Sequence, residues 1–278
     1  MSDVKQTRLN LSVEDNKSSM DWPKRFYARA IVRRMRGVTR ADLVNTDGGL
    51  YVVKWKQNPV HRRVLINSLV GAELLRRMDI ATPEWALICA DAEFCRSQLP
   101  GLQPGLHFGL LRPGDATTSS VYDSLPSALA GRIINRADFV RAMVFDCWVD
   151  NAHQRQSIFT PLSTDYYGQM VGNGHILGFR RGAWSFSSQP EVRLPLPVPP
   201  SVYLSATAIT LIDVATAQIQ QTAAPILDSI SRLIPDDWLE SDYSELGSVF
   251  EKLSQRTALL ADITKTWLAQ LPQSESRY

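Results

Sequence analysis

The stretch Asp47-Gly48-Gly49-Leu50-Tyr51-Val52-Val53-Lys54-Trp55 reads as a tight turn that feeds a β-strand. The glycines permit the turn, and the β-branched and aromatic run after them has strand composition. Residues 41–45 just upstream supply a first arm, so the two predict a hairpin. Downstream the period changes. Val64, Leu65, Leu69, Ala72 and Leu75 recur at helical intervals across residues 60–78, with Arg62, Arg63, Glu73 and Arg77 mostly off that stripe. Thr82-Pro83 stops this helix, and residues 85–89 read as a further strand. Residues 98–120, punctuated by Pro100, Gly101, Pro104, Gly105, Pro113 and Gly114, predict a loop.

Farther out, helical periodicity returns over residues 128–151, where Phe139, Val140, Met143, Val144, Cys147 and Trp148 form an apolar stripe. Strand composition reappears at residues 157–159 and 168–171. The prolines of residues 194–200 predict a rigid connector. Over residues 246–271, Val249, Phe250, Leu253, Leu260, Ile263 and Trp267 fall on one helical face. Residues 1–20, rich in Ser, Asp, Asn and Lys, predict a mobile arm. Strands first and helices later predict an α+β fold, with a small β-rich lobe over residues 21–100 and a larger, mostly helical lobe over 101–278.

The chain has 278 residues, 44% hydrophobic and 21% charged, ordinary values for a soluble protein that buries its own core. No apolar run approaches the ~18 residues of a membrane span. The polar start reads as no secretory signal, and three cysteines without CxxC spacing argue against a disulfide framework or a structural zinc. The expected address is cytoplasmic. The net charge of +2 hides an asymmetry: the first 200 residues carry +7 and residues 201–278 carry −5. Residues 24–40 hold seven Lys or Arg and no acid. Such a division predicts two surfaces with different partners, acidic or basic proteins or nucleic acid.

Three segments resemble the HipA-like kinases, bacterial proteins with a bilobal protein-kinase-like or lipid-kinase-like fold. The first is Arg36-Gly37-Val38-Thr39-Arg40 followed by Tyr51 to Pro59. The resemblance implies that Arg36, Gly37 and Thr39 belong to a phosphate-covering loop and that Lys54 contacts nucleotide phosphates. The second runs from Val64-Leu65-Ile66-Asn67-Ser68 to Ile80-Ala81-Thr82-Pro83-Glu84. Family members commonly have Glu at the position of Ser68, where it pairs with the lysine; Glu73 is a candidate replacement. Pro104 to Gly109 also follows the family pattern.

The third segment is Val144 to Gln156, matching a family pattern Trp-x-Gly-Asn-Thr-Asp-Arg, with Val171-Gly172-Asn173-Gly174-His175 matching a later metal-binding Ile-Asp-His-Gly-His. Asn151 and Gln156 are kept and are expected to bind the nucleotide. The catalytic aspartate falls on His153 and the metal aspartate on Gly172. The resemblance thus implies a pseudokinase that retains ATP or ADP binding or a scaffolding role, with magnesium binding weakened, because removing even one acid–base group costs ~10²–10⁴-fold in rate. An active Ser/Thr kinase is the first alternative, with Asp150 or Asp146 as substitute and Asp165 as a weaker one. Asp146, Asp150 and His153 also share a spacing that would make a metal-binding face if the helix continued. The second alternative is an interaction module using Arg33, Arg34, Arg36 and Arg40. His61, His107 and His175 are too scattered for a metal site.

Overall fold

The computed structural model describes residues 23–37, 39–114, 120–151, 153–186 and 209–270; the arm expected at 1–20 and the connector expected at 194–200 lie outside them. The elements are β1 (Arg25–Arg34), β2 (Asp42–Thr46), β3 (Gly49–Lys54), α1 (Arg63–Arg77), β4 (Trp85–Ala90), α2 (Ala92–Gln98), β5 (Gly105–Leu111), α3 (Arg136–Trp148), β6 (Gln156–Leu162), β7 (Asp165–Val171), β8 (Phe179–Arg180) and β9 (Ala183–Trp184). The helices α4 (Ile209–Ser231), α5 (Asp236–Leu239), α6 (Tyr243–Arg256) and α7 (Leu260–Gln270) follow.

β2 and β3 form the expected hairpin, with Thr46 opposite Gly49. Gly49 takes φ +114°, which a side chain would oppose, and the Thr46 hydroxyl donates to the Gly49 carbonyl at 2.8 Å. The hairpin is part of a five-stranded closed barrel in the order β1-β2-β3-β5-β4, antiparallel except where β4 meets β1. Alternation along β3 sends Tyr51 and Val53 inward to Val44, Trp55, Ala86 and Ile88. Lys54 therefore faces out of the barrel, towards α1.

α1 corrects one expectation. Arg63 and Glu73 do not lie on a solvated face; every residue from Arg63 to Leu75 is buried. The helix is enclosed because the barrel covers one side and the later helices the other, and both charged residues are matched by ion pairs. A second correction is β5, a strand inside the segment expected to be loop, which completes the barrel by pairing with β3 and β4. The helix expected over 128–151 is a 3-10 turn (Ser127–Arg132) and then α3, and the one over 246–271 is α6, a 3-10 turn (Thr257–Leu259) and α7. On α4, Ile212, Ala215, Ile219, Ala223, Leu227 and Ile230 are buried at three- and four-residue spacing, the stripe that seats this helix on the core.

Candidate functional site

Lys54 ends β3, and its ammonium donates to the Ser68 hydroxyl of α1 at 2.8 Å; that hydroxyl in turn donates to the Val64 carbonyl at 2.6 Å. The helix thus meets the lysine at the expected position, with a neutral oxygen. Among the described residues no carboxylate pairs with Lys54, and burial pushes its pKa down to about 8. Glu73 is not its substitute. That carboxylate is fully buried among Arg76, Arg77 and the Trp85 indole, whose hydrogen bonds hold its pKa down against the opposing effect of burial.

The segment Asn173–His175 sits on α1 beside the lysine. Asn67 donates to the Gly174 and Ile176 carbonyls at 3.0 and 3.2 Å. Gly71 makes the approach possible, since a Cβ there would come within 2.5 Å of Asn173. Gly174 lies under the ammonium, where a Cβ would stand 3.3 Å from Lys54 Nζ.

α3 stops at Trp148, so Asp146, Asp150 and His153 do not share a helix face. Asp150 has φ +47° at the position where the family pattern has glycine, and its charge acts on Arg256. Asp146 is buried and fully engaged: the Arg155 guanidinium pairs with both of its oxygens and Asn151 donates to it at 2.9 Å. Arg155 also donates to Asn173 at 2.5 Å and to the Val171 carbonyl at 3.0 Å. The kept Asn151 therefore orders this loop, accepting from the His153 amide at 3.2 Å. The metal face does not form, because α3 ends before Asp150, and the Asp146 charge is paired with Arg155. Asp165 begins β7, six residues along an extended strand from Val171, and pairs loosely with Arg132 at 3.9 Å.

His153 and His175 meet with ring centroids 3.8 Å apart. With Val60, Phe179, Arg180 and Arg181 they line an open cleft of about 570 Å³. Burial, then His153 and Lys54, push His175 down to about 4; burial and Arg180 lower His153. The exposed Gln156 side chain lies across Gly172, where a Cβ would come within 2.7 Å of its amide oxygen. Arg36, Gly37 and Thr39 occupy the β1–β2 loop. Asp42 pairs with Val53, so this loop hangs over the barrel end that carries Lys54. The Asn58 amide holds it there, donating to the Thr39 carbonyl at 3.0 Å.

Sequence reasoning gave no role to Arg155 and overlooked Arg180 and Arg181. The only advance sign of the latter was two adjacent arginines just after the Gly172 to Gly178 segment. Among the described residues no three side chains of metal-ligating type come together. The magnesium that the resemblance implies does not fit: Gly172 offers no ligand, and the buried carboxylate of the motif belongs to Arg155. A phosphate chain does fit a cleft whose charged lining is cationic.

A strand barrel whose outward lysine meets a buried helix, followed by a loop, a strand hairpin and a helical bundle, is an α+β arrangement of the kinase-like type. A solved structure shares this fold, and two others align more loosely. The proinflammatory kinase CtkA of Helicobacter pylori aligns at 13% identity and a TM-score of 0.52, covering 88% of this chain and 97% of its own. HipA of Shewanella oneidensis MR-1, solved with HipB and operator DNA, aligns at 11% and 0.49 over 85% of this chain and 67% of its own. The Golgi casein kinase with Mn/ADP bound aligns at 9% and 0.45, over 88% and 72%. No family model and no curated protein sequence matches the chain. At these identities the likeness is one of fold.

Proposed function

We propose that the chain is a bilobal kinase-fold protein that binds a nucleotide at Lys54 and does not transfer its phosphate. One observation carries this reading: the lysine's partner on α1 is the Ser68 hydroxyl. In the resembling family a carboxylate stands there and fixes the ammonium for phosphoryl transfer. A hydroxyl leaves the charge available for an anion but does not hold it in one place. His153 in place of the catalytic carboxylate and Gly172 in place of the metal aspartate point the same way. When bound, a nucleotide would bring the negative charge that Lys54 lacks as a partner. Arg36, Gly37 and Thr39 would cover the phosphates, and Gln156 would border them. Asn151 would act from behind, by ordering the His153 backbone. Among the described residues no helix is long and apolar enough to cross a membrane, and cytoplasmic placement belongs to the same reading.

The test is a thermal-shift series with ATP and ADP, in magnesium and in EDTA, beside a radiolabel assay for autophosphorylation. The expected result is a rise in melting temperature in both buffers with no label incorporated. Magnesium-dependent labelling that disappears in Lys54→Ala would overturn the reading, and would instead favour an active kinase using Asp150.

A further inference from the structure

The cleft beside Lys54 has a lining that a metal-dependent phosphate site would not have. Its charged and titratable groups are His153, His175, Arg180 and Arg181, with no carboxylate among them. From β3 comes the Lys54 ammonium, close enough to act on His175. From the segment before α1 comes His61, near Phe179 at 6.2 Å between ring centroids. α1 contributes the Ser68 hydroxyl, and Arg62 and Arg63, opposed by Asp242 and Glu245, act on His61. Of the nearby charges, Asp150 acts on Arg256 and Arg155 is bound to Asp146.

Two features of this lining remain unsatisfied. Arg180 Nε is buried and meets no hydrogen-bond partner among the described residues. Such a donor forfeits its hydrogen bond unless something enters to accept it. The imidazoles of His153 and His175, 3.8 Å between centroids, cannot both be charged without an anion between or beside them. Burial first, then Arg180 beside His153 and Lys54 beside His175, disfavours the charged form of both rings. An entering polyanion reverses that balance: it accepts from Arg180, offsets Lys54 and stabilises an imidazolium. The volume lies within the ~300–1,000 Å³ of small-molecule sites.

We propose that this cleft takes the phosphate chain of a nucleoside di- or triphosphate without a divalent cation, with Lys54, Arg180 and a protonated His153–His175 pair supplying the charge a metal ion would supply. The proposal rests on the nucleotide reading above and identifies what holds the phosphates. No bond is made or broken; one proton moves from solvent to the histidine pair as the anion enters.

The experiment is calorimetric titration of the whole protein with ATP, inorganic tripolyphosphate and adenosine, in EDTA and in magnesium. Histidine C2–H resonances are followed through a pH series in the same samples. The chain has four histidines, so the spectrum is readable. Expected are ATP binding in EDTA, roughly tenfold weakening in both Arg180→Gln and His175→Ala, and an upward shift in the His153 and His175 titrations when ATP is bound. The melting temperature of each variant without ligand, unchanged from the parent's, guards against misfolding. ATP binding that needs magnesium, or that is indifferent to both substitutions, overturns the proposal and leaves nucleotide binding intact. Tripolyphosphate binding in EDTA with the same histidine shifts, but no preference for ATP, upholds the phosphate site and overturns the nucleotide reading. Failure of ATP and tripolyphosphate alike overturns both.

Discussion

His107 shows how far a single residue can sit from its expected character. The sequence offers it as one of three histidines too scattered for a metal site, yet in β5 it is wholly buried, edge-on to Trp55 at 4.9 Å between ring centroids. Its Nδ1 accepts the Lys56 amide at 3.0 Å, which fixes the proton on Nε2, and burial pushes its pKa down to about 3. An unfolded histidine takes up its proton near pH 6.5. Between those values the unfolded chain binds more protons than the folded one, so stability present above about pH 6.5 is lost as the pH falls. His175, at about 4, adds to the same slope. Melting temperature should therefore drop steeply between about pH 6.5 and pH 4. His107→Gln keeps an acceptor for Lys56 and removes one titrating ring, so it should flatten that slope while starting from a lower value at pH 7. An unchanged slope in the variant would show that the barrel interior is not where the protons go.

Among the elements, α1 ties the molecule together. Arg63 at its start donates to Asp242 at 2.9 and 2.8 Å and reaches Glu245, both at the entrance to α6, and its guanidinium lies 4.3 Å from the Trp184 ring centroid. Arg63 holds the Asp242 carboxyl below its ordinary value. Removing one partner strips a buried charge of its main counter-ion, which costs ~3–5 kcal/mol. Arg63→Met and Asp242→Asn should each lower stability by about that much in urea unfolding. The double variant should lose clearly less than the sum, with a coupling of about 2 kcal/mol or more; simple additivity would remove the clamp from this account. The hairpin, the core of α1, β4 and most of the helical stripes were legible because each is a local pattern of period 2 or 3.6. β1 was ambiguous because register irregularities between Ala28 and Ala30 and between Ile31 and Arg33, with Tyr27 and Val32 exposed, break the polar–apolar alternation. β5 was hidden between Pro104-Gly105 and Pro113-Gly114, breakers that bound the strand and give a local reading only loop. At the site, the lysine and its contact position on α1 could be read from one segment each. The Asp146–Arg155–Asn173 network could not, because it joins three segments through a loop that only the folded chain closes.

At the scale of the whole molecule, the +7 and −5 of the two stretches prove to be partly each other's partners. Lys56 pairs with Asp237 at 2.8 Å, Arg62 with Glu240, and Arg63 with Asp242 and Glu245, so residues just after the lysine strand fasten the acidic turns around α5 to the barrel side. Trp238 adds an apolar anchor, its indole donating to the Leu106 carbonyl at 2.9 Å. None of these acids lines the cleft of His153, His175, Arg180 and Arg181, although Asp242 and Glu245 act on the neighbouring His61. The outer pairs are half exposed and worth ~0–1 kcal/mol each, and salt screens them as the Debye length falls from ~10 Å at 0.1 M to ~3 Å at 1 M. The Arg63–Asp242 pair is buried and should hardly respond. Raising salt over that range should lower the melting temperature by about 2–5 °C. The triple variant Asp237→Asn, Glu240→Gln, Glu245→Gln should begin lower and lose most of that dependence, because the surviving pair lies out of reach of the ions. If the variant keeps the full dependence, the asymmetry serves an outside partner, and the acidic end should then bind a basic protein more weakly once these three charges are gone.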